Sequence, residues 1–64
     1  MKYILSRINA YGIKYEKLNE KQLRVYGNFE GFSSIREASN GWVEVDGKLK
    51  DYEDFEKWLY SITI

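Results

Sequence analysis

The 64-residue chain contains no cysteine and no histidine, and this absence limits its fold more than any other feature. A chain this short buries only about 60% of the surface that its unfolded form exposes, so its core is small. Disulfides and the usual zinc sites, which support many small folds, are excluded. Eleven aromatic side chains remain for packing. We therefore expect one compact domain over residues 1–64, a monomer held by aromatic contacts, with a homodimer as the alternative.

The first helix is predicted over residues 2–11. Ile4, Ile8 and Tyr11 recur at i, i+4 and i+7, which is the spacing of an amphipathic helix. Gly12 follows directly, and glycine is the preferred residue just beyond a helix C-terminus.

A second helix is predicted over residues 51–61. Asp51 can cap its N-terminus, and carboxylates in the first turn suit the helix dipole. Apolar residues at helical spacing follow. They are Tyr52, Phe55, Trp58 or Leu59, and Ile62.

Between the helices, the period of the apolar residues changes from helical to alternating. Residues 13–16 and 23–26 alternate apolar and polar side chains around a polar turn at residues 19–21, which predicts an antiparallel hairpin. Leu23 and Val25 are expected to face the core of this hairpin.

Residues 34–39 have two competing patterns. Ser34 and Glu37 have the spacing of a capping box, which opens a helix, whereas the pair Asn40 and Gly41 favours a hairpin turn. A helix would place the apolar residues of this stretch on one side, whereas a strand would separate the first two. These residues are Phe32, Ile35 and Ala38. The sequence thus favours a short helix ended by Gly41, with a four-stranded meander as the alternative.

Residues 42–45 alternate as a third strand, Asp46 and Gly47 form a turn signal, and residues 48–50 can return as a brief strand. The prediction is an α+β domain with a three-stranded antiparallel sheet, four-stranded in the alternative, in the order α-β-β-α(short)-β-α. Both terminal helices should cover one face of the sheet. The expected core is Ile4, Ile8, Leu23, Val25, Ile35, Val43, Val45, Phe55, Trp58 and Leu59.

The residue types argue against catalysis. No histidine base or thiolate is present, and no glycine motif for phosphates occurs. The four acidic residues Asp51, Glu53, Asp54 and Glu56 diverge around a helix, so capping and a solvated face explain them better than a metal site. We expect a protein without enzymatic activity, cofactor or metal. The chain has no leader pattern or apolar run of membrane length, which predicts a cytoplasmic location.

A protein-binding module is the favoured function. The outward face of the last helix is expected to carry Glu53, Glu56, Lys57 and Tyr60, with the tyrosine as a contact residue among charges. Chains rich in Lys, Ile, Asn, Tyr and Glu are typical of low-GC bacteria and their phages. An inhibitor or adaptor encoded by a phage or mobile element is therefore the expected type of protein.

Nucleic-acid binding is the alternative. The hairpin should place Lys14, Arg24 and Tyr26 on its outer face, where cations could contact phosphates and the ring could stack on a base. The net charge of the chain is zero, with +3 in residues 1–32 and −3 in residues 33–64. The acidic half suggests a further alternative, a mimic of nucleic acid that blocks a DNA-handling protein.

Overall fold

Along the chain, one helix precedes five consecutive strands and a second helix follows them. The computed structural model describes residues 1–63 apart from the side chain of Asn40. The elements are α1 (Lys2–Ala10), β1 (Lys14–Asn19), β2 (Gln22–Tyr26), β3 (Ser33–Glu37), β4 (Val43–Val45), β5 (Lys48–Lys50) and α2 (Tyr52–Ile62). The strands form one antiparallel sheet in the order β1-β2-β3-β4-β5. The predicted α+β class is confirmed, but the sheet has five strands where three or four were expected.

Helix α1 ends where glycine was predicted to end it. Gly12 has a φ of +69°, a backbone conformation that glycine adopts without a steric penalty. Its N–H donates to the carbonyl of Asn9, and the N–H of Ile13 donates to the carbonyl of Ile8. These two bonds form a Schellman motif. Because Ile8 and Ile13 are both buried, the motif also directs the chain from the helix into β1.

Helix α2 begins at its predicted cap. The carboxylate of Asp51 accepts a hydrogen bond of 2.8 Å from the backbone N–H of Asp54. At the other end, the carbonyl of Ile62 accepts a hydrogen bond from the N–H of Asn28. Helix α2 therefore runs from the end of β5 to the connection between β2 and β3.

The core lies between the two helices and one face of the sheet. Nine of the ten predicted core residues are buried, and Trp58 is only half-buried at the edge of the core. Its ring lies 6.1 Å from that of Phe55. Ile13 and Ile62 are buried as well and were missed. Both lie at the ends of elements, where periodicity is a weak guide to burial.

The prediction of a short helix at residues 34–39 is wrong. Most of this segment belongs to β3, in which Ile35 is buried between Leu23 of β2 and Val45 of β4. Pairing on both sides satisfies the backbone of β3, and this tertiary contribution outweighs a local capping pattern. The meander alternative was correct in pairing this segment with the next strand. A 3-10 turn over Ser39–Gly41 makes the connection.

The turn predicted at Asp46 and Gly47 is confirmed. Both residues have positive φ, at 49° and 87°, as the two central residues of a type I′ hairpin turn do. The side chain of Asp46 also accepts a hydrogen bond from the N–H of Ser34. This contact ties the turn to β3, and β5 returns as the brief strand that the sequence predicted.

Both helices pack on the same face of the sheet and contact each other. The rings of Tyr3 in α1 and Tyr52 in α2 lie 4.1 Å apart, and Arg7 forms an ion pair of 2.7 Å with Glu56. No described element covers the opposite side of the sheet, which we call the open face. Neither helix within residues 1–63 has the length and apolar character of a membrane span.

Candidate binding surface on the open face of the sheet

Large apolar side chains lie on the open face, where a solvated sheet usually carries polar ones. Strand alternation places Tyr26, Phe32 and Trp42 there, since each adjoins a buried residue, and the register opposite Glu44 places Leu49 there. Phe32 is 49% exposed, Trp42 is 43% exposed and Leu49 is 59% exposed. Half-buried Tyr26 is the fourth member of this group. Because the helices occupy the other face, no part of the chain that the structure describes covers these side chains.

The first group of contacts, the Tyr26 cluster, consists of Lys14, Arg24, Tyr26 and Phe32. The Nζ atom of Lys14 lies 5.9 Å from the centre of the Tyr26 ring, and the Arg24 guanidinium lies 4.6 Å from the centre of the Phe32 ring. The two rings are 6.4 Å apart in an edge-to-face arrangement. Each ring therefore has a cation over it, an interaction worth about 0.5 to 1 kcal/mol at an exposed site.

The structure brings together the three residues predicted for nucleic-acid binding. Lys14 lies opposite Tyr26 in the β1–β2 register, and Arg24 lies opposite Glu16. The carboxylate of Glu16 is 3.5 Å from the Arg24 guanidinium, so this cation is already partly neutralised. Lys14 forms no ion pair within the described residues. The cluster thus has one unbalanced positive charge.

The second group of contacts, the Trp42 groove, lies on β3, β4 and β5. It has a volume of about 560 Å³. Arg36, Glu44 and Leu49 are neighbours in register across the three strands, and Trp42 stands two residues before Glu44 on the same side of β4. The complete lining is Lys21, Arg36, Glu37, Ala38, Ser39, Trp42, Glu44 and Leu49.

An ion pair between Arg36 and Glu44 holds two side chains that line the Trp42 groove. Arg36 donates two hydrogen bonds to Glu44, from Nε at 3.2 Å and from Nη2 at 2.9 Å. This hydrogen-bonded contact holds the pKa of the Glu44 carboxyl below its usual range and raises the pKa of Arg36. The two side chains therefore present a fixed, internally neutral pair beside Trp42.

The Arg36–Glu44 pair predicts a pH dependence of stability. A carboxyl whose pKa is lowered by folding stabilises the protein above its unfolded pKa, and this contribution is lost as the pH falls through the folded value. The parent should therefore melt at a higher temperature than Glu44→Gln near neutral pH. This difference should vanish well below about pH 4.3, the usual value for glutamate. Thermal melts across that pH range measure it.

A matched control for this prediction is Glu30→Gln. Glu30 is exposed and forms no ion pair within the described residues. Its variant should show no such pH-dependent difference. An equal effect of both substitutions would show that total charge, and not the pair with Arg36, is responsible.

The outward face of α2 is less suited to contact than the sequence predicted. Tyr60 is 75% exposed, and Glu53 and Lys57 form an ordinary i, i+4 ion pair of 3.3 Å. The placement of Glu56 on this face is wrong, because it faces α1. One of its oxygens accepts a hydrogen bond from Arg7, and the other is buried without a partner. A single aromatic side chain is thus left among charges.

The acidic residues at the start of α2 do not converge. Within residues 1–63, no three acidic side chains are placed to hold a metal ion together. The carboxylate of Asp51 caps the helix, while Glu56 pairs with α1. Glu53 forms an i, i+4 pair with Lys57 within α2.

Sequence reasoning missed Phe32 and the Trp42 groove. The sequence grouped Phe32 with Ile35 and Ala38 on one side of a helix, whereas Phe32 directly precedes β3 and its ring lies near Tyr26 on the open face.

The signal for Trp42 was present, because Trp42 alternates with the expected core residues Val43 and Val45 and both helices were expected to cover one face. Leu49 lies on the open face through its register opposite Glu44. No protein-family model matches the chain, no curated protein is similar to it in sequence, and no solved structure matches it.

Proposed function

We propose that the protein is a non-enzymatic protein-binding module, an inhibitor or adaptor, and that the open face of the sheet is its contact surface. The observation that carries this proposal is the exposure of three large apolar side chains, Phe32, Trp42 and Leu49, on one uncovered face. Phe32 lies beside Tyr26, and Trp42 lines one groove with Leu49. Such apolar patches on a small protein commonly mark an interaction site.

The composition of the open face favours a protein partner over a nucleic acid. Aromatic side chains and arginine are the residues most enriched in protein interfaces and in their hot spots. The arginines of the open face, Arg24 and Arg36, are each paired with a glutamate of the neighbouring strand. Phosphates would have to compete with these carboxylates for both arginines.

The open face also exposes more large apolar side chains than the outward face of α2, the surface that the sequence favoured. Helix α2 offers Tyr60 and the solvated pair of Glu53 and Lys57. Exposed ion pairs of this kind contribute little to affinity. We retain this helix face as the comparison surface in the test.

Site-specific photocrosslinking tests the proposal. Benzoylphenylalanine is placed at Leu49, at Phe32 or at Tyr60, and each protein is irradiated in a lysate of a low-GC bacterium. We expect the same partner to be captured from Leu49 and from Phe32, but not from Tyr60. An excess of the parent protein should suppress this capture by competing for the partner. An excess of the Phe32→Ala, Trp42→Ala double variant should not suppress it.

Two outcomes would overturn the proposal. The first is capture from Tyr60 that is displaced equally by the parent and by the double variant. The second is a captured product that disappears after nuclease treatment. All four substituted side chains, at Phe32, Trp42, Leu49 and Tyr60, are exposed, so the variants should keep the fold, and circular dichroism checks this.

Single-strand nucleic-acid binding remains a second candidate, because Lys14 and Arg24 lie over the rings of the Tyr26 cluster. Single-strand binders combine such rings with a positively charged groove. The ion pair of Arg24 with Glu16 weakens the positive charge that phosphates need.

We therefore expect oligonucleotides to bind poorly, with a Kd of about 10⁻⁴ M or weaker at physiological salt, as for non-specific contacts. Fluorescence anisotropy with labelled single strands measures this at several salt concentrations. Micromolar affinity that falls steeply with salt and is abolished by Arg24→Ala with Tyr26→Ala would favour nucleic acid as the ligand. The double variant Glu53→Arg, Tyr60→Ala should then leave binding unchanged.

A further inference from the structure

The charges of the Trp42 groove are almost all satisfied within the protein. Glu44 is paired with Arg36, and Glu37 is paired with the amino group of Met1. Lys21, which also lines the groove, forms no ion pair within the described residues. The groove therefore presents one unbalanced positive charge, and its own carboxylates are occupied.

Arg36 provides free hydrogen-bond donors in the same groove as the positive charge of Lys21. Its Nε and Nη2 atoms hold Glu44, while a guanidinium has five N–H groups in all. The Nη1 side of the guanidinium makes no hydrogen bond to the described residues. Arg36 can therefore donate to a ligand carboxylate without releasing Glu44.

Apart from Ser39, the remaining lining is apolar. Trp42 and Leu49 are about half exposed, at 43% and 59%, and Ala38 lies beside them. The groove volume, about 560 Å³, is within the range of pockets that hold drug-sized ligands. That size suits a short stretch of chain with one or two inserted side chains.

Resting on the proposed protein-binding function, we infer that the Trp42 groove takes a short acidic segment of the partner protein. In this segment a large apolar side chain packs against Trp42 and Leu49, and an adjacent Asp or Glu meets Lys21 and Arg36. Complementary charge selects the carboxylate, because Lys21 is the unpaired charge of the groove. A phosphate group carries a charge of about −2 at neutral pH, so Glu37 and Glu44 repel it more strongly than they repel a single carboxylate.

Selection from a phage-displayed random peptide library on the immobilised protein tests this inference. We expect enrichment of peptides that place Asp or Glu next to Leu, Phe or Trp. A synthetic peptide of the enriched sequence should then bind at least about tenfold more weakly to Trp42→Ala, as hot-spot truncations do. It should bind equally to Tyr60→Ala, which removes an exposed aromatic ring elsewhere.

A charge reversal distinguishes recognition of an acidic segment from non-specific apolar binding. Lys21→Glu should lower the affinity for the acidic peptide at least about tenfold, and the variant should select basic peptides from the same library. Lys17→Glu is the matched control, because Lys17 is exposed on edge strand β1 and does not line the groove. It should change neither affinity nor selection.

The outcomes distinguish this inference from the proposed function. Peptides that depend on Phe32 and not on Trp42 would overturn the inference and leave the open face as the contact surface. Dependence on Tyr60 would overturn both. Basic peptides on the parent, or no enrichment at all, would overturn the inference, while crosslinking decides the function independently. A dimer in sedimentation that Trp42→Ala dissociates would assign the groove to a second copy of the chain and overturn it also.

Discussion

Phe55→Ala is expected to leave most of the protein unfolded at physiological temperature. Phe55 is fully buried and is the largest of the fully buried side chains. Removing a core phenylalanine costs about 3 to 5 kcal/mol through lost transfer energy and the cavity that remains. A domain of this size has only about 3 to 10 kcal/mol of total stability. Urea unfolding followed by circular dichroism measures the loss in the free energy of unfolding.

Two variants in the same helix serve as controls for Phe55→Ala. Trp58, which the sequence placed in the core, is half-buried and stacks on Phe55, so Trp58→Ala should cost less than Phe55→Ala. Tyr60 is mostly exposed, and Tyr60→Ala should change stability by no more than about 0.5 kcal/mol. A reversed order, with Trp58→Ala more damaging than Phe55→Ala, would contradict the packing of α2 described here.

Gly27→Ala is expected to be the next most destabilising substitution, at about 1 to 3 kcal/mol, the usual cost of overpacking. A Cβ atom at this position would lie 2.8 Å from the Cβ of Ile62 and from the ring of Phe29, and 2.9 Å from the Ile62 carbonyl oxygen. That carbonyl accepts the hydrogen bond from Asn28. The last turn of α2 would have to move away from the sheet, and the denaturation midpoint measures the cost.

Gly12→Ala is the control for this steric effect. A Cβ on Gly12 would meet no atom within 4 Å, so only the positive φ opposes the substitution. Amide hydrogen exchange separates the two causes. Gly27→Ala should speed exchange at Asn28 by loosening its bond to Ile62, whereas Gly12→Ala should leave that amide unchanged. Equal protection of Asn28 in both variants would show that the contact with α2 tolerates the methyl group.

The candidate site was partly predictable. Leu23 and Val25 alternate with Arg24 and Tyr26, and a hairpin with a buried face must place the latter pair outside. Lys14 follows from the register of the same hairpin. Phe32 could not be predicted in this way, because its orientation depends on whether residues 33–37 form a helix or a strand.

The outward placement of Glu56 in α2 was wrong for a related reason. Glu53, Glu56, Lys57 and Tyr60 share one side of an isolated helix, but the position of α1 decides which of them faces solvent. Arg7 pairs with Glu56 across the two helices and removes it from the outward face. Periodicity places residues around a helix axis, and only packing decides which sides of that helix are covered.

The sequence by itself determined the two helices, the first hairpin and the turn at Asp46 and Gly47. Each depends on local physics: apolar periodicity, a capping aspartate, a glycine at positive φ and the preferences of tight turns. Tertiary structure decided the conformation of β3, because Ile35 is buried only when strands from distant segments pair on both sides. It also decided that Glu56 faces α1, where it pairs with Arg7. Such choices rest on the burial of surface between segments far apart in the chain, and no local pattern records them.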